Sequence, residues 1–282
     1  MGNQQPTRSI AALDHFNESA FLPAPTQAAR YQATVEYGRN VAKHKSVVIA
    51  GLARNVGRVL SKTMARIERT GEMFKDYRVL IYENDSIDDS AKRLADWARD
   101  NVRVHVLSEK CNDPVNPGTR CLDRVARMAV YRNKCQDYIR DNFSELDYTI
   151  LVDTDVSKGW SYDGVANTIG QPIWDFMGSN GIIYKNWGDT IRKALYYDVW
   201  AFRWYGDWEA KASDSINPRE WRRGDSPVPV FSSFGGLGIY KMNAYLSSRY
   251  DGTDCEHVPF HKGMMDKGFN HLFMNPSQIV VY

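Results

Sequence analysis

From Ser46 to Asp155 short apolar runs alternate with segments whose apolar positions recur at helical spacing, and this alternation restricts the fold more than any other feature of the chain. Residues 46–50, Ser-Val-Val-Ile-Ala, read as a short buried strand. Asn55 and Gly57 then turn the chain into a helix carrying Val59, Leu60, Met64 and Ile67 on one face. Residues 77–82 read as a second strand, 83–86 as a turn, 88–99 as a helix closed near Asn101, and 102–106 as a third, alternating strand. A Pro- and Gly-rich loop at 112–118 precedes a long helix at about 122–142, which leads into the strand Tyr148-Thr-Ile-Leu-Val-Asp153. Elements in this order predict an α/β fold with a mainly parallel sheet covered on both faces. Ligands of such sheets gather beyond the C-terminal ends of the strands, where Asn55, residues 83–86, Asp153 and Asp155 all fall.

The strand at 148–153 ends in two carboxylates one residue apart. Side chains at i and i+2 of an extended chain point to the same side, so Asp153 and Asp155 can converge on one divalent cation. Mg²⁺ or Mn²⁺ held by carboxylates can in turn hold a diphosphate; the alternative is a solvated turn. Beyond Asp155 the pattern is less regular and rich in aromatics, with Trp174, Trp187, Tyr196, Tyr197, Trp200, Trp204 and Trp208 in a stretch read as partly helical. Strands are expected at 176–184, 228–240 and 275–282. Residues 1–45 hold Pro6, Pro23 and Pro25 and read as an extended arm leading into a short helix at 28–42.

Composition narrows the partners. With 282 residues, 43% hydrophobic and 25% charged, the chain can bury a sizeable core. Lys and Arg total 36 against 34 for Asp and Glu, a net charge of +2 that points away from nucleic acid and toward a small molecule or glycan. No run of apolar residues approaches the ~18 needed for a membrane span, and no signal-peptide core opens the sequence, so an integral membrane segment is not expected and a cytoplasmic location is. Cys111, Cys121, Cys135 and Cys255 lack zinc-site spacing and read as reduced thiols.

Taken in order over residues 47–282, the motifs resemble a GT-A glycosyltransferase of the large family-2-like group. They are Ala50-Gly-Leu-Ala-Arg54-Asn55, Glu83-Asn84-Asp85-Ser86-x-Asp88, Tyr131-Arg132-Asn133, Asp153-Thr154-Asp155, Phe234-Gly235-Gly236-Leu237-Gly238 and Cys255-Glu256-His257. The resemblance implies one GT-A domain over 46–282: a Rossmann-like, mainly parallel sheet flanked by helices, with a smaller mixed C-terminal part. Residues 46–156 would bind the nucleotide and 157–282 the acceptor. It further implies an inverting, metal-dependent transfer of a hexose or pentose from a nucleotide diphosphate, UDP before GDP, to a glycan or other hydroxyl acceptor.

Residue by residue, the resemblance puts Ala50, Arg54, Glu83, Asp85, Arg132, Asp153, Thr154, Gly235 and Gly236 against the nucleotide sugar. Arg132 and Asn133 correspond to a pair that faces the donor, the guanidinium suiting a diphosphate. The glycines would let backbone approach a sugar. Glu256 corresponds to the general base that takes the acceptor proton. Asp153 and Asp155 would hold Mn²⁺ or Mg²⁺, with His257 or His261 completing the shell, since relatives place a metal-binding His beyond the strand at 275–282 and the sequence ends at Tyr282. Otherwise the ion has only the Asp side chains, diphosphate and water. Each residue also has a plainer role open to it: a turn or helix cap for Asp85, a solvated helix face for Arg132, a bulge for the glycines and a helix start for Glu256. Two other activities compete, a sugar nucleotidyltransferase and a non-catalytic carbohydrate-binding protein. The first would carry a Gly-rich basic loop after the first strand, which Leu52-Ala-Arg54-Asn55-Val lacks.

Overall fold

The computed structural model describes residues 16–114, 121–187, 191–210, 216–218 and 220–282. The first fifteen residues of the expected arm and positions 115–120 of the Pro/Gly loop lie outside them. In chain order the elements are α1 (Pro25–Ala42), β1 (Ser46–Ala53), α2 (Gly57–Gly71), β2 (Asp76–Asn84), α3 (Ser90–Asp100), β3 (Val104–Glu109), α4 (Leu122–Phe143), β4 (Tyr148–Asp153), β5 (Gly159–Trp160), α5 (Tyr162–Ile169), β6 (Phe176–Trp187), β7 (Ile191–Tyr196), β8 (Arg203–Trp204), β9 (Val228–Ser232), β10 (Leu237–Lys241), α6 (Met242–Leu246), α7 (His257–Asp266) and β11 (Leu272–Val281).

The strands form one sheet in the order β3-β2-β1-β4-β10-β6-β11-β9-β8, with β5 added to β11 and β7 to β6. Strands β3, β2, β1 and β4 are parallel; β10 enters antiparallel between β4 and β6, and β6 runs parallel to β11. This is the α/β architecture expected, parallel in its first half and mixed in its second. Strand parity sorts the core into two layers. Val47 and Ile49 of β1, with Ile150 and Val152 of β4, pack under α2, α3 and α5. Val48, Ala50 and Leu151 face α4, α6 and α7. Burying each of the larger side chains contributes about 1.5–3 kcal/mol, which is why both faces of these strands are apolar. Asp153 shares the parity of Leu151, so the end of β4 delivers its carboxylate to the α4 side.

Two expectations fail for identifiable reasons. The strand expected at 228–240 is two strands, because Gly235 and Gly236 adopt left-handed φ of 67° and 89° and break the extended chain. Strand β9 goes toward the sheet edge, between β11 and β8, and β10 goes to the centre beside β4. The aromatic stretch is not helical among its described residues: β7 pairs antiparallel with β6, a tight turn follows, and β8 pairs with β9. Its aromatics recur because they pack across strands, as Tyr196, Phe202, Trp204 and Trp221 do edge to face.

The segment before β1 is docked rather than extended from Asn17 onward. Ser161 caps α5 by accepting from the Gly164 amide at 2.7 Å and donates to Glu18 at 2.8 Å, while Arg223 bonds both Ser161 and Glu18. Helix α1 lies on α5, with Gly38 and Gly170 at the crossing: a Cβ on Gly38 would lie 1.8 Å from the Ala166 carbonyl oxygen. Gly38→Ala is therefore expected to destabilise the protein by about 1–3 kcal/mol or more through overpacking. Chemical denaturation checks it; an unchanged midpoint would mean that α1 does not hold this crossing.

Candidate active site

The end of β4 opens into a cavity of about 390 Å³ walled by α4, the start of α7 and the turn after β7. Asp153, Arg132, Asp198, Glu256 and His257 all line it, with Arg124, Lys185, Trp200 and Phe234. Arg132 and Glu256 form a buried ion pair, Nε to Oε1 at 2.9 Å. The guanidinium also sits over the rings of Phe234 and Tyr250, 5.3 and 5.9 Å from their centroids. Burial works against its charge, but the Glu256 carboxylate outweighs that and holds the Arg132 pKa above its ordinary value. Glu256 is the N-cap residue of α7, where the macrodipole favours an anion, yet its side chain makes no cap bond and turns to Arg132 instead.

With Arg124 and Lys185 the cavity lining has three cations beside the carboxylates of Asp153, Asp198 and Glu256. Burial, and then the charge of Asp155, push the Asp153 carboxyl up to about 7, although Arg132 and a hydrogen bond from Tyr282 pull it back. Burial also raises Asp155. Asp198 was not among the residues read from the sequence. Its backbone is left-handed at φ 68°, and burial, reinforced by Asp153 and Glu256, holds its carboxyl well above the usual range while the Gly235 amide opposes this. No sequence motif marks it; only a non-glycine residue in that backbone region, known after folding, singles it out.

Several expected contacts are engaged elsewhere. Ala50 lies in the middle of β1, 1% exposed, because the strand runs three residues further than the apolar run suggested. Glu83 is buried and accepts from the Ser86 amide and the Ser108 hydroxyl. Asp85 accepts from the amides of Asn112 and Asp113, which overcome a slight burial and lower its pKa. Arg54 donates to the Asp113 and Pro114 carbonyls. Asp85 and Arg54 thus fasten the chain after β3 over the ends of β1 and β2. Asn133 clamps the backbone of Tyr250 through both its amide atoms and does not face the cavity. Thr154 points to the opposite side from Asp153: its hydroxyl donates to Leu52 O at 2.6 Å and its carbonyl accepts from Thr63. The Cβ direction of Gly235 is filled by the Ser179 carbonyl and that of Gly236 by the Tyr282 hydroxyl, so both glycines permit close packing on that side.

The two histidines separate. His261 is an internal residue, bonded at Nδ1 to Ser232 and at Nε2 to Tyr240, and burial lowers its pKa to about 3. With both nitrogens engaged it has no electron pair for an ion, and the expectation that it joins a metal shell is corrected. His257 lines the cavity, stacks on Phe234 and is buried with neither ring nitrogen bonded. Burial, with Arg132 behind it, keeps it neutral.

The residue types suit a hard divalent ion: the carboxylate of Asp153 in the cavity and that of Asp155, exposed outside its lining, beside a neutral imidazole. The ligand atoms of Asp153, Asp155 and His257 are not gathered into a tight group. Among the described residues the one such group is Asp85, Cys111 and Asp113, at the end of β2. Both Asp85 oxygens there already accept amide hydrogens.

No protein-family model matches the chain, and no curated protein matches it by sequence. Solved structures do match. The mannosyltransferase PcManGT from Pyrobaculum calidifontis, in complex with GDP-Man and Mn²⁺, has TM-score 0.51 at 10% identity over 97% of this chain and 67% of that one. GalNAc-T7, with UDP, GalNAc and Mn²⁺, has TM-score 0.50 at 11% identity over 99% of this chain and 57% of that one. The chain thus spans about two thirds or less of the proteins it resembles. At such identities the likeness is one of fold, and the fold is GT-A.

The raised Asp153 pKa has a sign that can be tested. Between the ordinary carboxylate value and about 7 the folded state holds a proton that the unfolded state has released, so metal-free stability falls as pH rises through that window and levels off above it. Asp153→Asn removes the carboxylate charge. Its melting temperature in EDTA should exceed that of the wild type above pH 7, with the difference shrinking toward pH 4. A variant less stable than the wild type at pH 8 would contradict the electrostatic account.

Proposed function

We propose that this protein is a metal-dependent, inverting glycosyltransferase that moves a sugar from a nucleotide diphosphate to a hydroxyl acceptor, a glycan foremost. The observation that carries the reading is the meeting of Asp153, the Arg132–Glu256 pair, Asp198 and His257 on one cavity beyond the parallel strands. Its volume of about 390 Å³ falls within the ~300–1,000 Å³ of ligand clefts and suits one or two sugar rings better than a macromolecule. Asp153 and Asp155 would hold Mn²⁺ or Mg²⁺, with His257 as a candidate third ligand, and the ion would offset charge on the departing diphosphate. Among nucleotides UDP comes before GDP.

The chain's own residues divide the remaining work. Glu256 is the base: Arg132 holds Oε1 at 2.9 Å, and Oε2, which has the Cys255 thiol beside it at 3.8 Å, takes the acceptor proton as the hydroxyl attacks. Arg132 acts through Glu256 and Phe234 rather than on the diphosphate alone. Asp198 accepts hydrogen bonds from sugar hydroxyls across the cavity, and Trp200, with Arg124 over its ring at 5.1 Å, offers an apolar face for stacking. The partly apolar wall limits the access of water, which would otherwise hydrolyse the donor. Residues 46–156 bind the nucleotide, and 157–282 supply most of the acceptor side.

Sugar transfer or donor hydrolysis should require Mn²⁺ or Mg²⁺ and should vanish in EDTA and in Asp153→Ala. Glu256→Gln should bind the donor normally but turn over about 10² to 10⁴ times more slowly, the usual worth of general-base help. NMR of an early reaction mixture should show inverted anomeric configuration. Retention, or near-normal turnover by Glu256→Gln, would remove Glu256 as the base and make Asp198 the next to test.

A further inference from the structure

One hydrogen bond at the site belongs to none of the roles above. The Tyr282 hydroxyl donates to Oδ2 of Asp153 at 2.6 Å. Its position is held from three directions. The ring stacks on Tyr197 with centroids 3.5 Å apart and planes 23° from parallel. The Tyr282 amide donates to Ile182 O at 3.0 Å, tying the residue to β6. The hydroxyl itself fills the place of a side chain at Gly236: a Cβ there would come within 2.4 Å of it. Gly236 also accepts from the Asp153 amide at 2.9 Å, so backbone and side chain of Asp153 are fixed by the same corner of the sheet.

A carboxylate at a strand end would otherwise rotate freely about its last torsion. A donor clamped on one oxygen removes that freedom and turns the other oxygen in one direction. Groups that bond the far side of a ligating side chain act in this way in metal sites, where they set orientation before the ion arrives.

We infer that Tyr282 is a positioning residue for the metal-binding carboxylate, fixing Asp153 through Oδ2 so that Oδ1 is presented to a divalent cation. This rests on the reading of Asp153 as a metal ligand. The clamp has a second consequence. Tyr197 precedes Asp198, so the stack that holds Tyr282 is continuous with the cavity wall opposite the ion, and the ion's carboxylate and the sugar-facing carboxylate share one support.

Direct Mn²⁺ binding to the full chain, measured by electron paramagnetic resonance or calorimetry without substrate, tests it on the wild type, Tyr282→Phe and Asp153→Ala. Tyr282→Phe keeps the ring and its stack on Tyr197 and removes only the hydroxyl, and circular dichroism should show it folded. The wild type should bind, Asp153→Ala should not, and Tyr282→Phe should bind about 10- to 100-fold more weakly. Wild-type or tighter affinity in Tyr282→Phe, with loss in Asp153→Ala, would overturn the positioning role and leave the metal reading standing. Mn²⁺ binding that survives in Asp153→Ala, or is missing from the wild type, would overturn both.

Discussion

Several carboxylates meet at the end of β4 with one buried guanidinium among them, and that guanidinium is already paired with Glu256. Bringing these carboxylates together costs free energy, since desolvation and mutual repulsion both favour the protonated forms. The surrounding structure supplies what keeps the arrangement in place: Tyr282 and Gly236 on Asp153, Gly235 on Asp198, and Arg132 on Glu256. Arg124 and Lys185 also line the cavity, so its carboxylates offer ligand oxygens to a cation without an excess of negative charge. Local cost and proposed function have one origin, as is common where catalytic groups are gathered.

The Arg132–Glu256 pair also joins the two halves of the chain. Arg132 stands on α4, which packs against β1 and β2, and Glu256 opens α7, which packs beside β9. Removing one partner of a buried pair typically costs about 3–5 kcal/mol because the other is left charged and unpaired. The cavity between the halves is therefore held by an interaction that also orients the proposed base.

What could be read from the sequence depended on how local its cause was. Helix α4 and strand β4 were placed almost to the residue, since helical spacing and a run of buried β-branched residues are local signals. The bonds of Asp85 and Arg54 were not legible because the backbone near 113 that engages them is brought close only by folding. His257 and His261 look equivalent in sequence, four residues apart; Ser232 and Tyr240, from two strands read as one, make the second an internal residue. Asp198 was hidden for a related reason, in an aromatic stretch whose order comes from cross-strand packing.

The central claim is that the Asp pair at the end of β4, rather than the acidic group at the end of β2, holds the catalytic ion. Anomalous scattering from a crystal of the full chain grown with Mn²⁺ and a nucleoside diphosphate tests it directly. The expected result is a manganese peak at the carboxylates of Asp153 and Asp155, with the diphosphate on its open side. A peak at Asp85, Cys111 and Asp113 with none at Asp153 would contradict the account.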